Sequence, residues 1–336
     1  MPCGHLELML RSPVGIVAMA QHLPEAAQTS GVACGMQYCD EMILGLWVAT
    51  LRTLFETRLW RALRLRRGVA VFLSSVLACG GETMPVSDPL PSLSGVTSAE
   101  WSSLASRRVF FGHQSVGANV VQGISEVLAS HPEIRLNVVE TKDLATARAG
   151  GFYHARVGRN EHPDEKVQEF ARIASSGLHS SGAVGMVKLC YVDVRANTDP
   201  RALLEAYQRR MAELRAQNPG LTIVHLTMPL TTSEGRLAYW KRKLRGYDTQ
   251  RDRNIVRNRY NTLLRSAYAR KEPVFDIAAV ESRRPDGTVS GFRDGSGIVY
   301  TLAAELTTDG GHLNEPGRRL VAEQLLIFLA KLPPAS

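Results

Sequence analysis

Only 5 of the 336 residues are cysteine, and four of them, Cys3, Cys34, Cys39 and Cys79, precede the strongly patterned part of the chain. With Cys190 alone inside that part, a disulfide framework is excluded there. The chain also lacks an uninterrupted apolar run of the roughly 20 residues that a membrane-crossing helix needs. The run 68–78 is too short, and 42–51 is cut by Arg52. No zinc-finger spacing, RNA-recognition signature or phosphate-binding glycine loop occurs, so no nucleic acid partner is expected. No group of His, Cys, Asp and Glu has metal-ligand spacing, and neither a metal nor another cofactor is expected.

What is present is ordinary for a globular protein, with 44% hydrophobic and 21% charged residues. The net charge of +8 suits a surface that meets anionic glycans or lipid headgroups. Toward the front, residues 58–67 carry five arginines ahead of the apolar run 68–78, which ends at Cys79. Basic region, short apolar region and small residue follow in signal-peptide order. Val76–Cys79 resembles a bacterial lipobox, whose cysteine becomes the lipidated first residue, so Cys79 is the expected membrane anchor in the cell envelope. Residues 80–97, rich in Gly, Pro, Ser and Thr, read as a flexible tether. Residues 1–57 fit neither scheme and are expected to be unstructured or to follow from a start assigned too far upstream.

From Arg107 onward, β-rich runs alternate with helical patterns. The strands read 107–112, 134–140, 183–192, 221–229 and 273–279, and the helices 117–131, 164–175, 200–218, 254–271 and 315–332. Such alternation predicts one α/β domain over 98–336, a three-layer α/β/α sandwich with a parallel sheet covered on both faces. Ligands of these sheets sit beyond the carboxyl ends of the strands. One such end carries Gly112-His-Gln-Ser115. Ser115 there is either a nucleophile or a helix cap.

A nucleophilic serine needs a base and an orienting carboxylate. Asp309-Gly-Gly-His312, just before the last helical pattern, offers both from one tight loop. Together the two blocks resemble those of the SGNH (GDSL-type) hydrolases over about residues 105–333. The resemblance implies a flavodoxin-like fold with a five-stranded sheet, Ser115 as nucleophile, His312 as base and Asp309 as its partner. It also implies an oxyanion hole from the N–H groups of Ser115 and Gly158, with Gly151 the weaker alternative.

The family's third block departs from pattern, because Val192 stands where asparagine belongs and only Asp193 matches. Asn160 is the first substitute for the missing amide and Asn197 the second. His113 could line the site or simply pack, while His154 and His162 have only loop proximity. Lys188 is expected at a strand end with a carboxylate partner, and Cys190 as a small buried hydrophobe. The basic segment Arg236–Tyr260 reads as a solvated helix, or as a wall attracting an anionic glycan or lipid headgroup.

The implied activity is an envelope esterase that deacylates a carbohydrate or lipid ester. The rivals are a catalytically weak protein binding envelope polysaccharide, and an acyltransferase.

Overall fold

In the strand Arg108–His113 (β1), Val109 and Phe111 belong to one apolar cluster and Phe110 to another. This is the two-residue alternation of a strand covered on both faces. A computed structural model describes residues 84–85, 89–179, 181–295 and 297–333, all within one compact unit, Ala78–Ser336. The expected signal region with Cys79, residues 1–57 and residues 80–83 and 86–88 of the tether lie outside the described residues.

The further strands are Val138–Glu140 (β2), Gly151–Arg156 (β3), Val184–Val187 (β4), Thr222–Leu226 (β5) and Val274–Phe275 (β6). They form one sheet in the order β2-β3-β1-β4-β5-β6, and every pairing is parallel. The sheet therefore has six strands, one more than the five expected. The extra strand is β3, whose Gly-Phe-Tyr-His-Ala-Arg sequence hides its burial. Its His154 is buried against a second histidine instead of among apolar side chains.

One face of the sheet is covered by Ser98–Ser106 (α1), Ser115–Ser130 (α2) and Glu315–Ala330 (α8). The other is covered by Pro163–Gly177 (α3), Pro200–Gln217 (α4) and Gln250–Tyr268 (α6). The remaining helices are Arg236–Leu244 (α5) and Ile277–Glu281 (α7), and a hairpin pairs Gly291–Asp294 (β7) with Gly297–Tyr300 (β8). Local chemistry sets the helix starts. Thr97 and Glu100 form a capping box at α1, while Pro200 stands first in α4 behind the Asp199 cap.

Two expected strands are shorter than their apolar runs. The run 183–192 stops pairing after Val187 and closes into a turn at Tyr191–Asp193. The run 273–279 gives β6 and then α7, capped by Asp276. The packed part also begins earlier than Ser98, because Val96 is buried and Gln324 donates to the Pro91 carbonyl. Among the described residues no helix is long and apolar enough to cross a membrane.

Candidate active site

In the sheet order, β2 and β3 lie to one side of β1 and β4 to β6 to the other. The carboxyl end of β1 is thus the switch point at which open α/β sheets form a crevice. Gln114 leaves β1 and caps α2 without a side-chain hydrogen bond, and Ser115 is the first residue of the helix. Ser115 is therefore not the cap. Its Oγ lies 3.0 Å from His312 Nε2.

On the far side of the ring, His312 Nδ1 is 2.6 Å from Asp309 Oδ2. An ionised carboxylate only accepts, so the proton sits on Nδ1 and Nε2 presents its lone pair to the serine hydroxyl. Asp309 Oδ1 also accepts the N–H groups of Gly311 at 2.9 Å and His312 at 2.7 Å. Burial works against the charge of Asp309, but the His312 ring and these two N–H groups outweigh it and hold the carboxyl below its usual range.

The loop is braced from several elements. Thr307 donates to the His312 carbonyl and accepts from Gly310 N–H, while Thr232 N–H donates to the Gly310 carbonyl. Asn119 of α2 accepts from Leu313 N–H at 3.3 Å, tying the loop to the helix that carries Ser115. Gly310 has φ of +84°, the left-handed region that glycine adopts without penalty. A Cβ on Gly311 would stand 2.8 Å from the Tyr191 ring and hydroxyl. Tyr191 in turn meets the His312 ring edge-on, with centroids 5.8 Å apart.

Oxyanion donors are fewer than the sequence implies. The N–H groups of Ser115, Val116 and Gly117 open α2 and have no acceptor within the helix. Gly158 does not add to them, because its N–H donates to Glu169 Oε2 at 2.6 Å. Its φ of +59° turns the backbone toward α3, and a Cβ would meet Lys166 N at 2.5 Å. The glycine is there for that close approach. Gly151 starts β3 at the opposite end of the sheet, where its N–H bonds the Arg107 carbonyl.

Asn160 is exposed, and its Oδ1 accepts from Lys166 Nζ at 3.1 Å. Asn197 is exposed in the turn closed between Arg195 and Thr198. Neither has a hydrogen bond to the Ser115–His312 pair. Val192 lies in the turn after β4, beside Tyr191, and supplies no side-chain donor.

Three buried polar groups stand behind the site, and the first two escape sequence reasoning. Lys166 and Asp193 form an ion pair with no side-chain exposure, Nζ lying 2.6 and 2.7 Å from the two carboxylate oxygens. Asp193 also accepts N–H groups from Glu161 and Cys190, so it ties the turn after β4 to α3. Arg257 of α6 is fully buried and donates to the Tyr191 carbonyl, Thr231, Asn254 and Gln250. Burial lowers its pKa to about 9.

The third group is the His113–His154 pair, whose Nε2 and Nδ1 are 3.1 Å apart. His113 Nδ1 donates to the Gln114 carbonyl, which can only accept, so Nε2 is the acceptor and His154 Nδ1 the donor. Burial, with the nearby charges of Lys188 and Arg156, pushes His113 down to about 3. His113 is thus a packed neutral support for the start of α2, where Ser115 stands. His162 caps α3 at the surface.

Lys188 stands just past the end of β4, as expected, but forms no ion pair with a carboxylate among the described residues. Its Nζ donates to Cys190 Sγ at 3.1 Å and to the Leu189 carbonyl at 3.4 Å, and the nearby carboxylate Asp193 is taken by Lys166. Cys190 is buried as expected, though as a hydrogen-bond acceptor. Among the described residues no group of three His, Cys, Asp or Glu is arranged to hold a metal ion.

No protein-family model matches the chain, and comparison with curated proteins gives no match. Solved structures of similar shape include an acetyl esterase with acetate, at 14% identity and a TM-score of 0.37, covering 65% of this chain and 94% of that one. A carbohydrate acetylesterase from Sinorhizobium meliloti is similar at 13% identity and 0.35, covering 66% and 96%. An aryl esterase from M. smegmatis is similar at 12% identity and 0.35, with the same coverage.

Proposed function

We propose that the chain is a serine esterase of the SGNH type. The reading is carried by one observation, the continuous Ser115–His312–Asp309 hydrogen-bond chain. Ser115 Oγ attacks the acyl carbon of an ester while its proton passes to His312 Nε2, and Asp309 stabilises the imidazolium. The Ser115 N–H, at the positive end of α2, faces the developing oxyanion. Collapse of the tetrahedral intermediate expels the alcohol, which takes the proton from His312. Water, giving its proton to His312, then attacks the acyl carbon, and collapse breaks the bond to Ser115 Oγ, which takes that proton back as the acid leaves.

The fuller reading is an envelope enzyme, anchored through Cys79, that removes a short acyl group from a carbohydrate or lipid. Water as the acceptor makes it a hydrolase, and an alcohol in its place makes it an acyltransferase. A second reading, a polysaccharide-binding protein with a weakened site, is favoured by the engagement of Gly158 N–H with Glu169. Losing one oxyanion donor typically costs on the order of 100- to 1000-fold in turnover.

The experiment is labelling with a fluorophosphonate, followed by hydrolysis of p-nitrophenyl esters of increasing chain length. Modification at Ser115 with turnover supports the esterase. An unlabelled, folded chain with no turnover supports the binding protein.

A further inference from the structure

Among the described residues, five large hydrophobic side chains are exposed, and four of them, Leu237, Trp240, Leu244 and Tyr247, fall in or just after α5. Leu237, Trp240 and Leu244 are spaced three and four apart, which places them on one helical stripe. Leu237 is 83% exposed, Leu244 61% and Trp240 41%. α5 buries no residue at all.

The helix is held to the domain by its other face. The Arg251 guanidinium lies over Tyr239 at 5.3 Å and over Phe292 at 4.0 Å. Arg242 approaches Glu234 and donates to the Asp248 carbonyl, and Lys243 pairs with Asp252 at 2.9 Å. A helix on a soluble surface normally turns its apolar stripe inward. This one is fastened by charged and aromatic side chains and shows its apolar stripe to the outside.

The stripe is bordered by cations. Arg236, Lys241 and Arg245 are exposed and form no ion pair among the described residues. An apolar stripe edged by unpaired positive charge, with Trp240 and Tyr247 at its border, matches one environment on both counts. That environment is the boundary between anionic headgroups and acyl chains of a bilayer. A protein partner would have to supply both an apolar groove and an acidic rim.

We propose that α5 is an interfacial helix, by which this face of the domain docks on an anionic lipid surface. The surface lies next to the candidate active site, since Thr232, four residues before α5, donates its N–H to the Gly310 carbonyl of the Asp309–His312 loop. The proposal concerns binding and stands independently of the acyl chemistry.

The test uses the full chain with vesicles of equimolar phosphatidylglycerol and phosphatidylcholine. The sequence has 4 tryptophans, so the emission difference between the chain and its Trp240→Phe variant reports position 240 alone. Anionic vesicles should shift that component to the blue and expose it to quenching by brominated lipid, and added salt should weaken the effect. Lys241→Glu/Arg245→Glu should weaken partitioning of the Trp240 component at least about tenfold. A component unmoved by anionic vesicles overturns the proposal, as does an equal response to phosphatidylcholine alone. A component already blue-shifted without lipid also overturns it, since another part of the chain or a second copy then covers the stripe.

Discussion

The carbonyl oxygen of Arg318 lies where a side chain on Gly123 would have to go: an added Cβ would stand 2.2 Å from it. Gly123 is in α2, eight residues beyond Ser115, and Arg318 is in α8, six residues beyond His312. Ser115 therefore stands on one helix and His312 in the loop that leads into the other, and a hydrogen atom sets the spacing of the two helices. Gly123→Ala should push the two apart, costing about 1–3 kcal/mol of stability as overpacking does and lowering turnover. Urea denaturation and ester hydrolysis measure the two effects, and an unchanged variant would show that the helices separate freely.

Asp309 fixes the tautomer of His312 from a carboxylate that stays charged. Asp309→Asn should leave the fold intact yet lower turnover by about 10⁴-fold, the scale expected when a triad histidine loses its tautomer. Ser115→Ala should abolish turnover, and His312→Ala should lower it about 1000-fold or more, because the two act as one unit. Steady-state rates on a p-nitrophenyl ester, with circular dichroism of each variant, test all three. Full activity in Ser115→Ala would remove the assignment.

The Lys166–Asp193 pair has no access to water, so removing one partner strands the other. Lys166→Met should destabilise the protein by about 3–5 kcal/mol, with much of that recovered in Lys166→Met/Asp193→Asn. Chemical denaturation of the set decides it. Equal losses in the single and double variants would mean that Asp193 matters only as the acceptor of the Glu161 and Cys190 N–H groups.

Glu281 is buried, and desolvation raises its pKa to about 8 despite Leu230 N–H, Lys188 and Arg257. Between about 4.5 and 8 the folded chain then holds a proton that the unfolded chain has lost, so this group's contribution to stability falls as pH rises through that window. Glu281→Gln keeps an acceptor for Leu230 and should flatten that part of the pH–stability curve. Parallel curves for the two proteins would place Glu281 ionised in the fold.

At Cys79, outside the described residues, the expected outcome is metabolic labelling with a fatty acid that disappears in Cys79→Ser, with the protein released from the membrane fraction. Membrane retention of an unlabelled variant at wild-type level would remove the lipid anchor.

The Ser115–His312–Asp309 hydrogen-bond chain was legible because its members sit at breaks in pattern. Ser115 opens a helix two residues after a strand ends, and Asp309 and His312 flank two glycines ahead of a helix. β3 was not legible because His154 is buried by one hydrogen bond to His113, and a polar residue in a short run reads as loop. The turn at Tyr191–Asp193 was hidden in the same way, since Lys188 and Cys190 continue an apolar run while Asp193 closes it through the Cys190 N–H. Gly158 follows a strand and precedes a helix, as an oxyanion glycine does. Only the direction of its N–H distinguishes that role from close packing against α3. Lys166 falls within the helical pattern 164–175 and its partner lies 27 residues on, so nothing local in the sequence marks the pair.

The triad also has an order of assembly. Ser115 and the whole sheet precede Thr307 in the chain, whereas Asp309 and His312 arrive just before α8, the helix that packs on α2. As the polypeptide emerges, the serine is present for most of synthesis without a base, and its hydroxyl is as unreactive as any other. On the proposed esterase reading, competence waits for this last segment, and a chain cut short before Thr307 carries Ser115 with neither base nor carboxylate.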